Sequence, residues 1–278
     1  MVQNIDILMI TYNRAEYTKL SLKRLLDTCG ESMRVWVWHN GTDEQTLEVV
    51  HSFRDHSRFF RFYHSPENKK LQEPTNWFWT ESEGNFVGKV DDDCLVPYHW
   101  ADKLRQAHLD VPEFGVISCW HFFEEDFVPQ LANRKIKEYA CGHRLMQSCY
   151  VGGSGYLMKR ACVDEMGLIR PKETFTPYCL RLAAHGWTNG WYYPFLYQEH
   201  MDDPRAPHTM LKTEEDFQNN IPLTARQFSI CSLKDWEQWL RNDAIAAQAA
   251  SINPKYYLGW RVWRAKIRRL VGRLVTGK

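Results

Sequence analysis

The sequence lacks the features that mark several classes of protein. No apolar run in its 278 residues reaches the roughly 18 needed to cross a bilayer. Its 8 cysteines include no Cys-x-x-Cys pair, and Cys141, His143 and Cys149 form a weak zinc-like cluster at most. No internal repeat or low-complexity linker divides the chain. A strand pattern begins almost at the first residue, which argues against a signal peptide, so we expect reduced thiols in a cytosolic protein.

Strand and helix patterns alternate through the first third of the chain. Strands are predicted at residues 4–10, 33–38, 59–63 and 85–90, with helical patterns after the first and the second. This alternation is typical of βαβ units and a mostly parallel sheet, so it predicts an α/β fold. The polar loops after the first, second and fourth strands then lie at one edge of the sheet, where a nucleotide could bind.

The run Asp91-Asp92-Asp93 directly follows the fourth predicted strand. Carboxylates at the carboxyl end of such a strand lie where α/β proteins bind ligands, and Asp91 and Asp93 point to the same side of an extended backbone. Neighbouring anions repel one another unless a cation lies among them, and Mg²⁺ or Mn²⁺ prefers carboxylate oxygens. The run therefore indicates a metal that holds a diphosphate. An acidic turn that caps the next helix is the alternative.

Several short motifs occur in order between residues 4 and 200. They are the strand and loop at 7–14, the loop at 39–46, Asn68 and Asn76, Asp91-Asp92-Asp93, the glycine-rich segment at 151–160, and Tyr193-Pro194 followed by His200. Together these motifs resemble the family 2 glycosyltransferases, which have the GT-A fold. The resemblance implies a Rossmann-like, mostly parallel sheet with flanking helices, and an enzyme that takes a sugar from a nucleotide-diphosphate donor.

The resemblance also implies which residues contact the donor and the metal. The loops after the first two strands would line the nucleoside pocket, and two asparagines and two aspartates would contact the rest of the donor. These residues are Thr11, Tyr12, Asn13, Arg14, His39, Asn40, Asn68, Asn76, Asp91 and Asp92. A Mn²⁺ or Mg²⁺ ion would be held by Asp91, Asp93 and His200, where it would offset the charge on the departing nucleotide.

The nucleobase site departs from the family pattern. His39 stands where the family usually has an Asp that reads the base, and an imidazole cannot make a carboxylate's paired acceptor contacts. The identity of the base is therefore open, and so is the expectation of a uridine diphosphate sugar. Thr75 stands where the family often has Arg, and Lys69 and Lys70 either supply that positive charge or form a solvated turn.

The catalytic base departs from the pattern as well. Inverting members usually carry a Glu-Asp pair before an Arg-Leu pair, and counting back from Arg181 places Thr174 and Phe175 at those positions. Because an inverting transfer needs a base within reach of the acceptor hydroxyl, the neighbouring Glu173 is the first candidate. The alternative for Glu173 is a surface carboxylate in a charged loop. The reserve candidates are Asp202, Asp203, Glu124, Glu125 and Asp126.

The C-terminal part carries the strongest charge asymmetry. We predict a GT-A domain at 1–210, with a nucleotide-sugar half at 1–100 and an acceptor half at 101–210, and a helical extension at 211–278. Residues 255–278 carry a charge of +8, which leaves about −7 for the remainder because the whole chain carries +1. Apolar residues recur there at helical spacing, so residues 259–278 are predicted to bind an anionic membrane surface. A helix docked on its own core or on a partner chain is the alternative.

The sequence thus predicts a metal-dependent, inverting glycosyltransferase that acts on a lipid-linked or cell-surface glycan at the cytoplasmic face of the membrane. A nucleotidyltransferase is a second possibility, but such enzymes usually carry a Gly-rich loop with Arg and Lys where Thr11-Tyr12-Asn13-Arg14 stands. A nucleotide- or glycan-binding protein that has lost its base is a third. Nucleic acid is not expected as a partner, although a DNA or protein acceptor held by the basic tail is also open.

Overall fold

A nine-stranded sheet forms the centre of the structure, a computed structural model that describes residues 4–258. The strands of this sheet and of a small two-stranded sheet are β1 (Ile5–Thr11), β2 (Met33–Asn40), β3 (Phe59–Ser65), β4 (Phe86–Asp91), β5 (Cys94–Leu95), β6 (Phe114–Ser118), β7 (Ile136–Glu138), β8 (Arg144–Ser148), β9 (Tyr156–Lys159), β10 (Thr188–Tyr193) and β11 (Glu199–His200). The α-helices are α1 (Ala15–Asp27), α2 (Glu44–Ser52), α3 (Gln72–Glu81), α4 (Trp100–Asp110), α5 (Pro129–Ala132), α6 (Arg160–Met166), α7 (Phe175–Ala184), α8 (Glu214–Asn219), α9 (Leu223–Gln227), α10 (Leu233–Ala249) and α11 (Lys255–Leu258). Short 3₁₀ turns lie at Glu124–Asp126, Asn133–Lys135 and Ala140–Gly142.

The strands of the large sheet follow the order β3-β2-β1-β4-β9-β6-β10-β8-β7. The strands from β3 to β4 are parallel to one another, and β6 is parallel to β10. Only β8 and β9 run against the common direction within this sheet, so it is mixed but mostly parallel. The predicted α/β architecture is confirmed, and its first four strands lie close to the predicted segments.

Helices cover both faces of the sheet, which explains why its central strands are apolar on both sides. Ile5, Ile7 and Met9 of β1 pack with residues of α1 and α4 in one core. Leu8 and Ile10, which point to the opposite face, pack with residues of α3 and α7 in a second core. The strands that carry the polar loops are therefore fixed by packing on two sides.

Strand register brings the polar loops together at one edge of the sheet. Thr11 at the end of β1 lies beside His39 of β2, and Ile10 lies beside Asp91 at the end of β4. The small sheet adds a segment that is distant in sequence, because Cys94 of β5 pairs with His200 of β11. Residues 199–202 thereby return to the acidic run.

The helical extension predicted after residue 210 is present as α8 to α11 within the described residues. Phe217, Ala225, Trp236 and Leu240 form a small core between these helices. The extension also binds the main body, since Gln248 of α10 accepts a hydrogen bond from the backbone N–H of Val128 at 2.7 Å. The domain boundary at residue 210 stays a prediction.

The predicted membrane-binding stretch, residues 259–278, lies outside the described residues. Across residues 4–258, no helix combines the length and the apolar character that crossing a bilayer requires.

Candidate functional site

A cavity of about 390 Å³ opens at the carboxyl edge of β1, β2 and β4. This cavity, called the main cavity below, is lined by residues from the ends of β1, β2 and β4, from the loops after β1, β3 and β4, from the segment around β11, and from α9 and α10. They are Ile10, Tyr12, Arg14, Asn40, Asn68, Lys70, Leu71, Asp91, Asp92, Asp93, His200, Asp202, Leu223, Thr224 and Trp236. Acids and bases together line its wall, so the cavity can hold an anionic ligand together with a cation.

Asp93, His200 and Asp202 form the tightest group of possible metal ligands in the described part of the chain. One ligand atom from each lies within 4.8 Å of the others, and the His200 Nε2 is 4.0 Å from the Asp93 Oδ2. Backbone pairing fixes this arrangement, because the N–H of Met201 donates to the carbonyl of Asp93 at 2.8 Å. The Trp236 indole N–H holds the carbonyl of Asp202 at 2.7 Å. Two carboxylates and one imidazole fit a hard divalent cation that also accepts nitrogen, and they suit Mn²⁺ better than Mg²⁺.

The group of possible ligands contains Asp202, whereas the sequence predicts Asp91 beside Asp93 and His200. The Asp91 carboxylate forms an ion pair with Lys89, which is buried two residues earlier in β4. The Asp91 N–H donates to the hydroxyl of Ser154 at 2.9 Å. Asp91 therefore lines the cavity but lies outside the group of ligand atoms. The sequence pattern indicates no role for Lys89, and it offers Asp202 only as a reserve candidate for the catalytic base.

The acidic run carries more negative charge than its surroundings favour. Burial and the neighbouring Asp93 raise the pKa of Asp92 to about 8. Burial also raises the pKa of Asp91, although Lys89 opposes it. Burial would raise the pKa of Asp93 too, but His200 and Arg14 outweigh it and hold that pKa below its ordinary value. Asp93 is thus the member of the run whose ionised form is most favoured.

The nucleoside residues predicted from the loops after β1 and β2 separate into three sets. Tyr12, Arg14 and Asn40 line the main cavity. Thr11 and His39 are fully buried beneath its wall, where the Thr11 hydroxyl and the His39 Nδ1 share a hydrogen bond of 2.8 Å. The His39 Nε2 has no partner among the described residues. This placement does not favour direct reading of the base by His39.

Asn13 faces a smaller neighbouring cavity of about 170 Å³, which is also lined by Arg14, Tyr17 and Asp202. Asn13 is not one of the described residues that line the main cavity. Its backbone has a φ of +50°, a left-handed conformation that Asn tolerates better than most residues. Asn13 thus lines the smaller cavity, whereas Tyr12 lines the main one.

Asparagines shape the side of the main cavity formed after β3. The Asn40 amide accepts a hydrogen bond from the Lys69 N–H at 3.0 Å and donates to the Lys70 carbonyl at 3.1 Å. Asn68 accepts from the Lys70 N–H at 2.8 Å. These bonds present Lys70, and not Lys69, to the cavity. Asn76 does not line the cavity.

Asn76 instead joins α3 to the loop before α7. Its amide donates to the Ile169 carbonyl at 2.9 Å and accepts from the Ile169 N–H at 3.0 Å. Both hydrogen bonds go to backbone, so the side chain is committed to holding that loop. These contacts support a structural role for Asn76, whereas the family resemblance implies that it contacts the donor.

Glu173 lies in the same loop and is held by an ion pair with Arg181. The guanidinium binds both carboxylate oxygens, at 2.8 and 3.0 Å, and the Arg170 N–H donates to one of them at 2.9 Å. Burial would raise the pKa of Glu173, but Arg181 and the Arg170 N–H lower it below its ordinary value. Phe175, at the position expected for a carboxylate, stacks on Tyr156 with ring centroids 4.3 Å apart.

Comparisons with known proteins agree with this architecture. The model of glycosyl transferase family 2 matches residues 6–163. The fold is similar to that of the mannosyltransferase PcManGT from Pyrobaculum calidifontis, solved in complex with GDP-Man and Mn²⁺, with 16% identity and a TM-score of 0.61 over 93% of this chain and 79% of that chain. It is also similar to residues 1–349 of S. aureus TarS in complex with UDP-GlcNAc, with 15% identity and a TM-score of 0.51 over 92% of each chain. No curated protein sequence matches the chain.

The burial of His39 predicts a specific dependence of stability on pH. Burial, reinforced by His64, lowers the pKa of His39 to about 4, against an unfolded value of about 6.5. Above the unfolded pKa the ring is neutral in both states, so His39 does not favour unfolding. Below it, the unfolded state binds a proton that the folded state does not. As the pH falls from 7.5 to 5, His39 should therefore lower the unfolding free energy by about 2 kcal/mol.

Urea denaturation at the two pH values measures this cost. The decrease in unfolding free energy should be smaller in His39→Asn than in the wild type, because Asn keeps a partner for Thr11 without a titrating ring. The variant His185→Asn, which changes an exposed histidine, is the control and should follow the wild type. Equal pH dependence in wild type and His39→Asn would show that the imidazole is not held neutral by burial.

Proposed function

This chain belongs to glycosyl transferase family 2, and we propose that it moves a sugar from a nucleotide-diphosphate donor to a hydroxyl acceptor with the help of a divalent metal. The observation that carries the proposal is the group of Asp93, His200 and Asp202 in the wall of the main cavity. This group lies at the carboxyl edge of a sheet, where α/β proteins bind nucleotides.

The donor would lie across the main cavity with its diphosphate beside the acidic run. Tyr12 and Asn40 stand at the ends of β1 and β2, where the nucleoside would bind, and Lys70 adds positive charge to the same wall. Asp93, His200 and Asp202 would hold Mn²⁺ or Mg²⁺. Such an ion supplies the charge that offsets the departing diphosphate. The solved neighbours carry GDP-Man in one case and UDP-GlcNAc in the other, and our proposal extends only to a nucleotide-sugar.

Inversion and the acceptor form the second part of the proposal. An inverting transfer needs a carboxylate that takes the proton of the acceptor hydroxyl. A lipid-linked or cell-surface glycan is the proposed acceptor, because the C-terminal stretch of the sequence is basic and interrupted by tryptophans. The donor site itself contains no feature that selects one acceptor.

Metal dependence is testable through donor hydrolysis. Release of nucleoside diphosphate from a panel of GDP- and UDP-sugars should stop in excess chelator and return when Mn²⁺ is added. Asp93→Asn should abolish turnover because the leaving diphosphate would lose its counter-charge. Asp55→Asn, at an exposed position on the surface, is the matched control and should remain fully active.

Each alternative class gives a different result in the same assay. Full turnover in excess chelator would show that the reaction does not need a divalent metal. Nucleotide binding without hydrolysis of any donor would favour a non-catalytic binding protein. Release of pyrophosphate from a nucleoside triphosphate and a sugar phosphate would favour a nucleotidyltransferase.

The role of Glu173 is decided by comparing turnover with stability. As the base, Glu173 would give a Glu173→Gln variant whose kcat falls by about 10²–10⁴-fold while donor affinity is unchanged. Its contacts with Arg181 favour a different outcome, in which unfolding free energy falls and kcat stays within a few-fold of wild type. Steady-state kinetics and thermal melts of Glu173→Gln separate the two. Glu124→Gln is the comparison, since Glu124 is a reserve candidate and lies in a cleft that His200 also lines.

The membrane proposal is tested by liposome flotation. Protein that lacks residues 259–278 should no longer float with anionic vesicles, while donor hydrolysis should be intact. Binding of the full chain should weaken with salt, because exposed charges are screened over roughly 8 Å at physiological ionic strength. Vesicles of neutral lipid are the control. If the truncated protein floats as well as the full chain, the stretch is not the anchor. If truncation unfolds the protein, the docked-helix alternative is correct.

A further inference from the structure

The guanidinium of Arg14 stands between two of the three residues assigned to the metal. Its Nη1 is 2.8 Å from an Asp93 oxygen, and its Nη2 is 2.9 and 2.7 Å from the two oxygens of Asp202. Arginine keeps its proton in proteins, so this is a permanent charge bound to both carboxylates. In this conformation Arg14 binds oxygens of two of the three residues that would hold a divalent ion.

The two cations compete for these oxygens. A Mg²⁺ ion coordinates oxygen at about 2.0–2.1 Å, and three of the four oxygens of Asp93 and Asp202 already accept from Arg14. The bridge is also well shielded from solvent, since the side chain of Asp202 is 6% exposed and that of Arg14 is 22% exposed. Screening by water is therefore weak, and the ion must compete with a guanidinium that bridges two carboxylates through charge-assisted hydrogen bonds.

Arg14 has room to move without disturbing the fold. Its backbone N–H is anchored to the hydroxyl of Thr46 at 3.0 Å, directly before α1, so only the side chain needs to reorient. The side chain lines both the main cavity and the smaller cavity that contains Asn13. In the main cavity the nearest new anion would be the donor diphosphate.

We propose that Arg14 is an exchangeable cation: it neutralises Asp93 and Asp202 in the metal-free protein, is displaced when a divalent metal binds there, and then pairs with the diphosphate of the donor. This inference rests on the proposed metal-dependent function. It makes Arg14 a positioning residue that couples the metal to the donor. By linkage, a diphosphate that gives Arg14 a new partner must tighten metal binding, and the metal must tighten diphosphate binding by the same factor.

Titration of Mn²⁺ against the protein, with free Mn²⁺ followed by EPR, tests the exchange without any turnover. Arg14→Gln should bind Mn²⁺ at least tenfold more tightly than the wild type, because no guanidinium competes for Asp93 and Asp202. Arg14→Lys should be intermediate, since an ammonium cannot reach both carboxylates with a planar fork. Lys70→Gln is the matched control, because it removes an exposed positive charge from the same cavity without touching either carboxylate. Its affinity should change by less than threefold.

A second titration measures the coupling to the donor. Addition of GDP or UDP should tighten Mn²⁺ binding in the wild type by a larger factor than in Arg14→Gln. Circular dichroism and thermal melts identify any variant that has lost its fold, and Arg14→Lys keeps the test decisive if Arg14→Gln does not fold.

Three outcomes would overturn the exchange. Weaker Mn²⁺ binding in a folded Arg14→Gln or Arg14→Lys would mean that Arg14 organises the site. Equal increases in Mn²⁺ affinity in Arg14→Gln and Lys70→Gln would mean that the affinity depends only on the net positive charge around the cavity. An unchanged effect of GDP and UDP in Arg14→Gln would remove the link to the donor. In each case, normal Mn²⁺ binding by the wild type would leave the proposed metal-dependent function standing, whereas a wild type that binds no Mn²⁺ would remove both.

Discussion

Repulsion among the carboxylates at the end of β4 is the constraint on which the arrangement of the site depends. Asp91, Asp92 and Asp93 are adjacent in sequence, and the small sheet brings Asp202 beside them. Three neighbours offset the charge of these four carboxylates. Lys89 pairs with Asp91, Arg14 pairs with Asp93 and Asp202, and the N–H of Tyr12 donates to Asp92 at 3.1 Å. Two internal cations thus stabilise the cluster, and a divalent ion is proposed to replace one of them, Arg14.

Distant segments hold this cluster in place. The strand β1 supplies Arg14 through its following loop, β4 supplies the acidic run, and β11 supplies His200. The C-terminal helices take part as well, because Trp236 lines the main cavity and binds the Asp202 carbonyl. The extension therefore shapes the site in addition to packing against the body. A substitution in α10 can affect the proposed metal ligands through this hydrogen bond.

Local sequence patterns predicted the parts of the site that local patterns encode. The strand at 85–90, the acidic run and the polar loop before α1 are continuous in sequence, and the structure has all of them close to the expected positions. Arg14 and Asp202 are 188 positions apart, so no local pattern in the sequence predicts that they form an ion pair. The pair of Lys89 and Asp91 is local, because residues two apart on a strand share a face, yet Lys89 looks in sequence like one more residue of a buried strand. His39 lies near the end of β2, and its depth depends on how β1 and β3 pack beside it. The predictions for Asn76 and Glu173 came from a family pattern. The contacts of Asn76 with Ile169 and of Glu173 with Arg181 are visible only in the structure.

The central claim is that Asp93, His200 and Asp202 hold a divalent ion against a nucleoside diphosphate. Pulsed EPR of Mn²⁺ bound to the protein together with GDP or UDP tests it most directly, because the spectrum reports the nuclei around the ion. Our account predicts modulation from an imidazole ¹⁴N together with coupling to ³¹P, and loss of the ¹⁴N signal alone in His200→Gln. A bound ion that shows no ¹⁴N in the wild type, or keeps the signal in His200→Gln, would contradict the assignment.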